Sequence, residues 1–224
     1  METALTPRRQ PRDFTPALPL LGIYDFTIAT LTRERVWRSA LLRQLNPQPG
    51  ETIADLGCGT ASFLALVGRQ AGGARLVGVD PDARILERAR RKLAAAGVAA
   101  RLDEGYLRDA SRLLVGTGTT KIVSSLVFHQ TPMTEKRAGL AAILAALPPG
   151  GELHVADYGL QRSRLMRTLF RLVQLADGHE NTQPAADGVL PDLMREAGFE
   201  AVEERAVIPT LTGSISLYRA VRPS

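Results

Sequence analysis

From residue 52 onward the chain alternates short β-branched runs with longer amphipathic stretches, and no other feature limits the fold as much. Parallel strands in one sheet need a crossover connection of about a dozen residues or more, usually a helix, so this alternation predicts a parallel sheet covered by helices. After the Pro47-Gln-Pro-Gly50 turn, strands are expected at 52–56, 75–79, 99–102, 122–127 and 152–156, with helices at 62–70, 82–95, 134–147 and 161–176. The end of the chain breaks the pattern. Runs at 199–207 and 214–221 are joined only by Pro209-Thr-Leu-Thr-Gly213, too short for a crossover helix, so they should pair antiparallel. The expected fold is a doubly wound α/β domain with a seven-stranded, mostly parallel sheet whose last strand is antiparallel. It is expected as one domain over 17–224, with cap helices in 17–46 and an α/β core in 51–224. Residues 1–16, rich in Pro, Arg and Thr without an apolar period, are expected to form a mobile tail.

Composition narrows the class. A chain with 45% hydrophobic and 23% charged residues is an ordinary globular protein, which sets aside collagen-like and low-complexity chains. The single cysteine, Cys58, cannot form an internal disulfide, so a cytoplasmic setting is expected. No apolar run reaches the roughly 18 residues of a membrane-spanning helix. The formal charge of +5 comes mostly from arginines spread along the chain, and such scatter does not point to a nucleic-acid partner.

The strongest local signal is Ile53-Ala-Asp-Leu-Gly-Cys-Gly-Thr-Ala-Ser62, a strand entering a glycine-rich turn that opens a helix. In an open parallel sheet that turn lies at the carboxyl edge, where ligands bind, and Gly57 and Gly59 allow a ligand close to the backbone. A second strand, Leu76-Val-Gly-Val-Asp80, ends in a carboxylate at the spacing that suits ribose hydroxyls. A dinucleotide pyrophosphate at this turn would be repelled by Asp55. A cation fits better there, so the ligand should carry an ammonium or sulfonium near Asp55 and a ribose near Asp80. S-adenosylmethionine has both groups.

The chain resembles class I S-adenosylmethionine-dependent methyltransferases, whose fold is Rossmann-like, and within them the ubiquinone and menaquinone biosynthesis type. The matching stretches are Asp55-Leu-Gly-Cys-Gly-Thr60, Gly78-Val-Asp-Pro81, Ile122-Val-Ser-Ser-Leu-Val-Phe-His129, Leu147-Pro-Pro-Gly-Gly-Glu-Leu-His-Val-Ala-Asp157 and Leu193-Met-Arg-Glu-Ala-Gly-Phe199. The resemblance implies that Asp55, Leu56 and the Gly57-Cys58-Gly59 turn face the methionine part of the cofactor. It also implies that Asp80 holds the ribose, Pro81 borders the adenine, and Ser125 and Leu126 line the methyl-donor pocket. Two positions depart from the pattern. Where relatives carry an acidic residue after the glycine that follows strand three, this chain has Gly105-Tyr106, so Tyr106 is expected either to stack on the adenine or simply to pack. Lys121 replaces the usual aspartate at the start of the fourth strand and is expected to serve stability at the far end of the sheet.

On the acceptor side, His129 follows the fourth strand at the binding edge and is the candidate general base, against a purely shaping role. Tyr24, Phe26, His129 and Tyr158 are the candidate acceptor-binding residues, with Asp157 beside them. His154, inside the fifth strand, is expected in the core, and His179 in a loop that could form a lid. After Phe128 stands His-Gln-Thr-Pro, unlike the Asn- or Asp-Pro-Pro-aromatic run of enzymes that methylate base amines or protein amides. The acceptor is therefore expected to be a small, apolar or aromatic molecule, and no nucleic acid is expected. The histidines and carboxylates show no metal-ligand spacing, so no metal is expected. The segment 162–175 reads as a basic amphipathic helix, either a surface cover or a contact with a membrane or lipid. Two rival functions stay open at this point: a non-catalytic binding protein for the same cofactor, and a nicotinamide-dependent oxidoreductase, against which Asp55 and Ser62 count.

Overall fold

A computed structural model describes residues 32–224. The tail at 1–16, the first part of the cap-helix region, Tyr24 and Phe26 lie outside the described residues.

The strands are β1 Thr52–Leu56, β2 Arg75–Asp80, β3 Arg101–Glu104, β4 Lys121–Ser125, β5 Glu152–Tyr158, β6 Glu200–Thr210 and β7 Gly213–Val221. They form one sheet in the order β3-β2-β1-β4-β5-β7-β6. Only β7 runs against the rest, antiparallel to both β5 and β6. The order reverses between β1 and β4, which makes the carboxyl ends of those strands the place where such sheets take ligands.

The helices are α1 Glu34–Leu45, α2 Ser62–Gln70, α3 Ala83–Ala96, α4 Ala110–Leu113, α5 Met133–Ala146, α6 Arg164–Asp177, α7 His179–Ala186 and α8 Leu190–Glu196. Strand side chains alternate between the two faces. Ile53, Val123, Ala156 and Leu217 pack with Trp37 and Leu41 of α1, Phe63 of α2, Leu86 of α3 and Phe170 of α6. Ala54, Leu56, Ile122, Leu153 and Val155 pack on the other face with Leu140 of α5 and Leu193 of α8. Every residue of β1 is buried, as expected for a central strand covered on both sides.

The orientation of α1 matters for the site. At its C-terminal end Lys121 Nζ donates to the Leu45 and Asn46 carbonyls and pairs with Glu51, and Gln44 donates to the Tyr218 carbonyl. At its N-terminal end Arg33 donates to the Pro209 carbonyl, beyond the carboxyl end of β5. α1 thus brings its first turns, with Glu34 and Arg38, to the ligand-binding edge. Lys121 sits at the opposite end, where it caps a helix, in keeping with the stability role read from sequence. His154 is fully buried between Gln44 and Glu152, so it is a core residue.

The structure corrects several element boundaries. β3 starts later than expected because Gly97, at φ 67°, ends α3 with paired bonds from Gly97 to Ala94 and from Val98 to Leu93, which hold Val98 in the helix cap. β4 stops at Ser125 because Leu126 turns to φ 56°. His179 does not lie in a loop but opens α7, a helix with Pro184 inside it, and this proline with its polar neighbours hides the helix in the sequence. The connection between β6 and β7 shrinks to Leu211 and Thr212.

Candidate active site

The glycine turn is built by close contact. The amides of Gly57 and Cys58 both donate to the Val79 carbonyl, at 2.7 and 3.0 Å, which folds the end of β1 across β2. Gly57 has φ +75°, and a Cβ there would lie 2.3 Å from Val127 Cγ2, so no side chain fits. Gly59 has φ +54° but faces open space, with nothing within 4 Å of a Cβ position. One glycine closes the turn against β4, and the other leaves room for a ligand.

Asp80 accepts the Gly59 amide on Oδ2 at 2.9 Å and the Asp82 amide on Oδ1 at 3.0 Å. The cap of α3 is Asp82, whose side chain receives the Arg84 and Ile85 amides. Asp80 therefore holds the glycine turn, with its carboxyl raised above the ordinary range by burial and partly restored by those two amides. Pro81 is exposed beside it. Asp55 differs sharply. It is 1% exposed, and neither carboxyl oxygen has a hydrogen-bond partner among the described residues. Burial pushes its pKa up to about 7, Arg38 opposing and Asp80 adding to the rise. Because Asp55 pairs in register with Gly78, the side chains of Asp55 and Asp80 point to the same face, the one that carries α1. Leu56 points to the other face, into the core, and so does not line this cleft. Cys58 is buried and its thiol is pushed upward, first by burial and then by the two carboxylates, so it holds no reactive thiolate.

Ser125 and Leu126 are half-buried at the tip of β4, and the Leu126 amide donates to the Ala156 carbonyl at 2.9 Å. Tyr106 is not packed in the core: it is 45% exposed, with the Arg108 guanidinium 4.4 Å over its ring. His129 is buried, with Nδ1 hydrogen-bonded to Asp157 at 2.7 Å and Nε2 lying 3.3 Å from the Asp177 carboxylate. Two carboxylates beside the ring favour its protonated, cationic form. Burial lowers the pKa of the imidazole, but Asp157 and Asp177 together outweigh it and hold the ring cationic, at about 9. A cation with no free lone pair cannot take a proton, so this geometry favours the shaping role of His129 over the base. Tyr158 is buried too, edge-on to His129 and 5.0 Å from Phe170, with its hydroxyl on Thr212. It supports the site from beneath.

Sequence reasoning missed three residues. Asp177, the last residue of α6, and Lys136, which donates to the carbonyls of Thr131 and Asn181 and so ties α5 to α7, carry no motif. Arg38 reads in the sequence as one more charge on the wet side of an amphipathic helix, yet it is half-buried, near enough to Asp55 for the two charges to shift each other. No metal-binding cluster of His, Cys, Asp and Glu exists among the described residues.

Known proteins resemble this chain in sequence, and others in fold. A family described as a methyltransferase domain matches residues 53–151. A demethylmenaquinone methyltransferase of Beutenbergia cavernae is 30% identical over 219 residues, covering 88% of this chain and 85% of that protein. Another, of Clavibacter sepedonicus, is 28% identical over 216 residues, covering 88% and 84%. Among solved structures, an O-methyltransferase family protein of Burkholderia thailandensis shares the fold, with a TM-score of 0.67 at 20% identity, over 89% of this chain and 59% of that one. A ribose-range carboxylate, a buried carboxylate without a partner among the described residues and a glycine facing open space, all at one sheet edge, fit the cofactor of these enzymes. The chain belongs to the class I S-adenosylmethionine-dependent methyltransferases.

Proposed function

We propose that this methyltransferase transfers the methyl group to a small, apolar or aromatic acceptor, of the quinone type named for its relatives. The observation that carries the reading is the tip of β4. Leu126 and Val127 are half-buried apolar residues at the ligand edge, and Val127 contacts the position of Gly57 in the cofactor turn. An acceptor lying on them would meet carbon, not hydrogen-bonding groups.

S-adenosylmethionine, when bound, supplies a methyl group on a sulfonium that leaves readily in an in-line displacement. What the chain must add is alignment and exclusion of water. In this reading Asp80 accepts hydrogen bonds from the ribose hydroxyls, and Asp55 meets positive charge. Pro81 and Tyr106 border the adenine, and the Gly57–Gly59 turn lies against the methionine chain. Asp157 fixes the β4 tip by accepting the amides of Val127 and Phe128. His129, locked as a cation, holds the end of α6 down over the edge and takes no proton. Proton release from the acceptor then falls to the acceptor's own acidity or to water.

The outer side of α6 completes the reading. Leu165, Leu172 and Leu175 are 66%, 54% and 84% exposed, and Arg164, Arg167 and Arg171 stand on the adjoining side. An anionic bilayer matches both rows, apolar residues entering the headgroup boundary and guanidinium groups meeting phosphate. The C-terminal residue of that helix is Asp177, at the His129 edge, so a lipid-soluble acceptor would arrive beside the reacting centre.

The deciding experiment supplies methyl-labelled S-adenosylmethionine with reduced demethylated quinones, simple phenols, transfer RNA and ribosomal RNA. Label is expected in a quinol or phenol. Label in RNA alone would overturn the acceptor class.

A further inference from the structure

A cavity of about 360 Å³ lies away from the glycine turn, between the C-terminal half of α1 and strands β6 and β7. Leu217, buried, and Ala206, half-buried, form an apolar floor, and the walls are the side chains of Arg43, Arg205 and Arg219. These arginines come from α1, β6 and β7, so the fold assembles them and no local run of sequence does. Arg205 is the extra residue at a break in register, between Glu204 opposite Tyr218 and Ala206 opposite Leu217. A bulge of this kind re-aims a side chain, and here it adds a third arginine to the groove. The charges around the cavity do not cancel. Arg219 Nη2 pairs with Glu152 at 2.5 Å and Arg205 Nη1 with Glu203 at 2.8 Å, while Arg43 has no hydrogen-bond or ion-pair partner among the described residues. Three like charges around one space repel, and two carboxylates leave one of them unopposed. Each pair engages one nitrogen of a group that carries five N–H donors, so donors remain for a ligand. The planar guanidinium fork matches phosphate oxygens, and the volume is that of a small-molecule site, more than one phosphate needs.

We propose that this groove is a second ligand site and takes a diphosphate, whose oxygens bridge Arg43, Arg205 and Arg219. Any carbon body joined to the diphosphate lies on Leu217 and Ala206. The site stands by the end of α1 that Lys121 caps, apart from the cofactor turn, and does not depend on which acceptor is methylated.

Calorimetric titration with inorganic pyrophosphate, in low salt and with S-adenosylhomocysteine at saturation, tests the site without interference from the cofactor turn. Wild-type protein should bind, and added sodium chloride should weaken the binding. Arg43→Gln and Arg205→Gln are each expected to weaken pyrophosphate about tenfold, the lower end for a lost hydrogen bond to a charged group. Arg91→Gln removes the same charge from the exposed side of α3 and should leave affinity within about twofold. Arg43 leaves no partner behind, so its variant should fold, and melting of each variant checks this. Adenosine diphosphate that binds more tightly than pyrophosphate would identify an organic diphosphate seated on the apolar floor, and equal affinity would identify the diphosphate group alone. Wild-type protein that does not bind pyrophosphate, an equal loss in all three variants, or displacement of pyrophosphate by S-adenosylhomocysteine overturns the site.

Discussion

Asp157 and His129 are joined by a 2.7 Å hydrogen bond between Oδ1 and Nδ1, while the other carboxylate oxygen of Asp157 accepts the amides of Val127, Phe128 and His129 at 3.0, 2.7 and 3.3 Å. One buried side chain at the tip of β5 thereby sets the backbone that follows β4 and the charge of the ring beside it. The left-handed Leu126, at φ 56°, is held at the start of this segment. Strain at such a position persists only where its surroundings over-determine it.

The cationic ring makes stability depend on pH with a definite sign. The folded pKa of His129, about 9, is above the unfolded value of about 6.5. The stabilisation is full below the unfolded value and is lost as pH rises through 9, by an amount on the order of 3 kcal/mol. Lys136 acts oppositely: burial depresses it to about 8, so its penalty fades as pH rises from there. Both proteins in a comparison of wild type with His129→Gln contain that lysine, so subtraction removes it. Urea unfolding from pH 6 to 10 should show the difference between the two shrinking toward alkaline pH. A difference that stays level would mean that the ring is neutral in the folded protein.

The two glycines of the turn should fail in different ways. Gly57→Ala places a methyl group against the branched Val127 side chain at 2.3 Å in a left-handed conformation, so a loss of stability of about 3 kcal/mol or more is expected. Gly59→Ala meets no atom and carries only the conformational cost, about 1–2 kcal/mol. Its methyl group would instead occupy the ligand's space. Denaturation and cofactor titration of the two variants separate these effects, and the account of the turn is wrong if Gly59→Ala binds S-adenosylhomocysteine as wild type does.

How much of this was legible in the sequence follows from range. The glycine turn, Asp55 and Asp80 lie in continuous segments with local spacing, and the alternation of strands and helices gave the sheet, because each element obeys its own period. The clamp on His129 was not legible, since Asp157 and Asp177 belong to β5 and α6 and only packing brings them to one ring. Arg38 was hidden for a similar reason: helical periodicity places it on the polar side of α1, and only the seating of α1 on the sheet half-buries its side chain near Asp55. Pro184 concealed α7, whose place depends on Lys136 reaching the Asn181 carbonyl from another helix. Residue type and period report the local rules, whereas charge pairing across elements is a property of the assembled layers.

Asp55 should trade stability for binding. Its folded pKa of about 7 is far above the unfolded carboxylate value of about 3.9, so the ligand-free protein loses stability as pH rises from about 4 through 7, by up to about 4 kcal/mol. Asp55→Asn lacks that loss. In the absence of ligand its melting temperature should gain on wild type as pH increases from 5 to 8, while its affinity for S-adenosylhomocysteine falls. Wild-type affinity should itself increase with pH through 7, as the carboxyl becomes an anion. Parallel melting curves for the two proteins across that range would show that Asp55 ionises normally.

The lipid-facing role of α6 can be read by sedimentation with vesicles. Arg162 and Arg167 are partly engaged, by Glu204 at 2.5 Å and Asp187 at 3.8 Å, whereas Arg164 and Arg171 have no ion-pair partner among the described residues. Wild-type protein should sediment with vesicles containing phosphatidylglycerol and not with phosphatidylcholine alone, and added salt should release it, since the attraction between exposed charges is screened. Arg164→Glu with Arg171→Glu should abolish co-sedimentation, and Leu172→Ser with Leu175→Ser should weaken it, because burial of each leucine in the interface contributes about 1.5–3 kcal/mol at most. Neither pair touches Phe170 or Val173, the buried residues of the helix, so turnover on a water-soluble phenol should persist in both. Binding that ignores lipid charge, or that survives both pairs of substitutions, would place the membrane contact elsewhere or remove it, and α6 would then be a cover for the core alone.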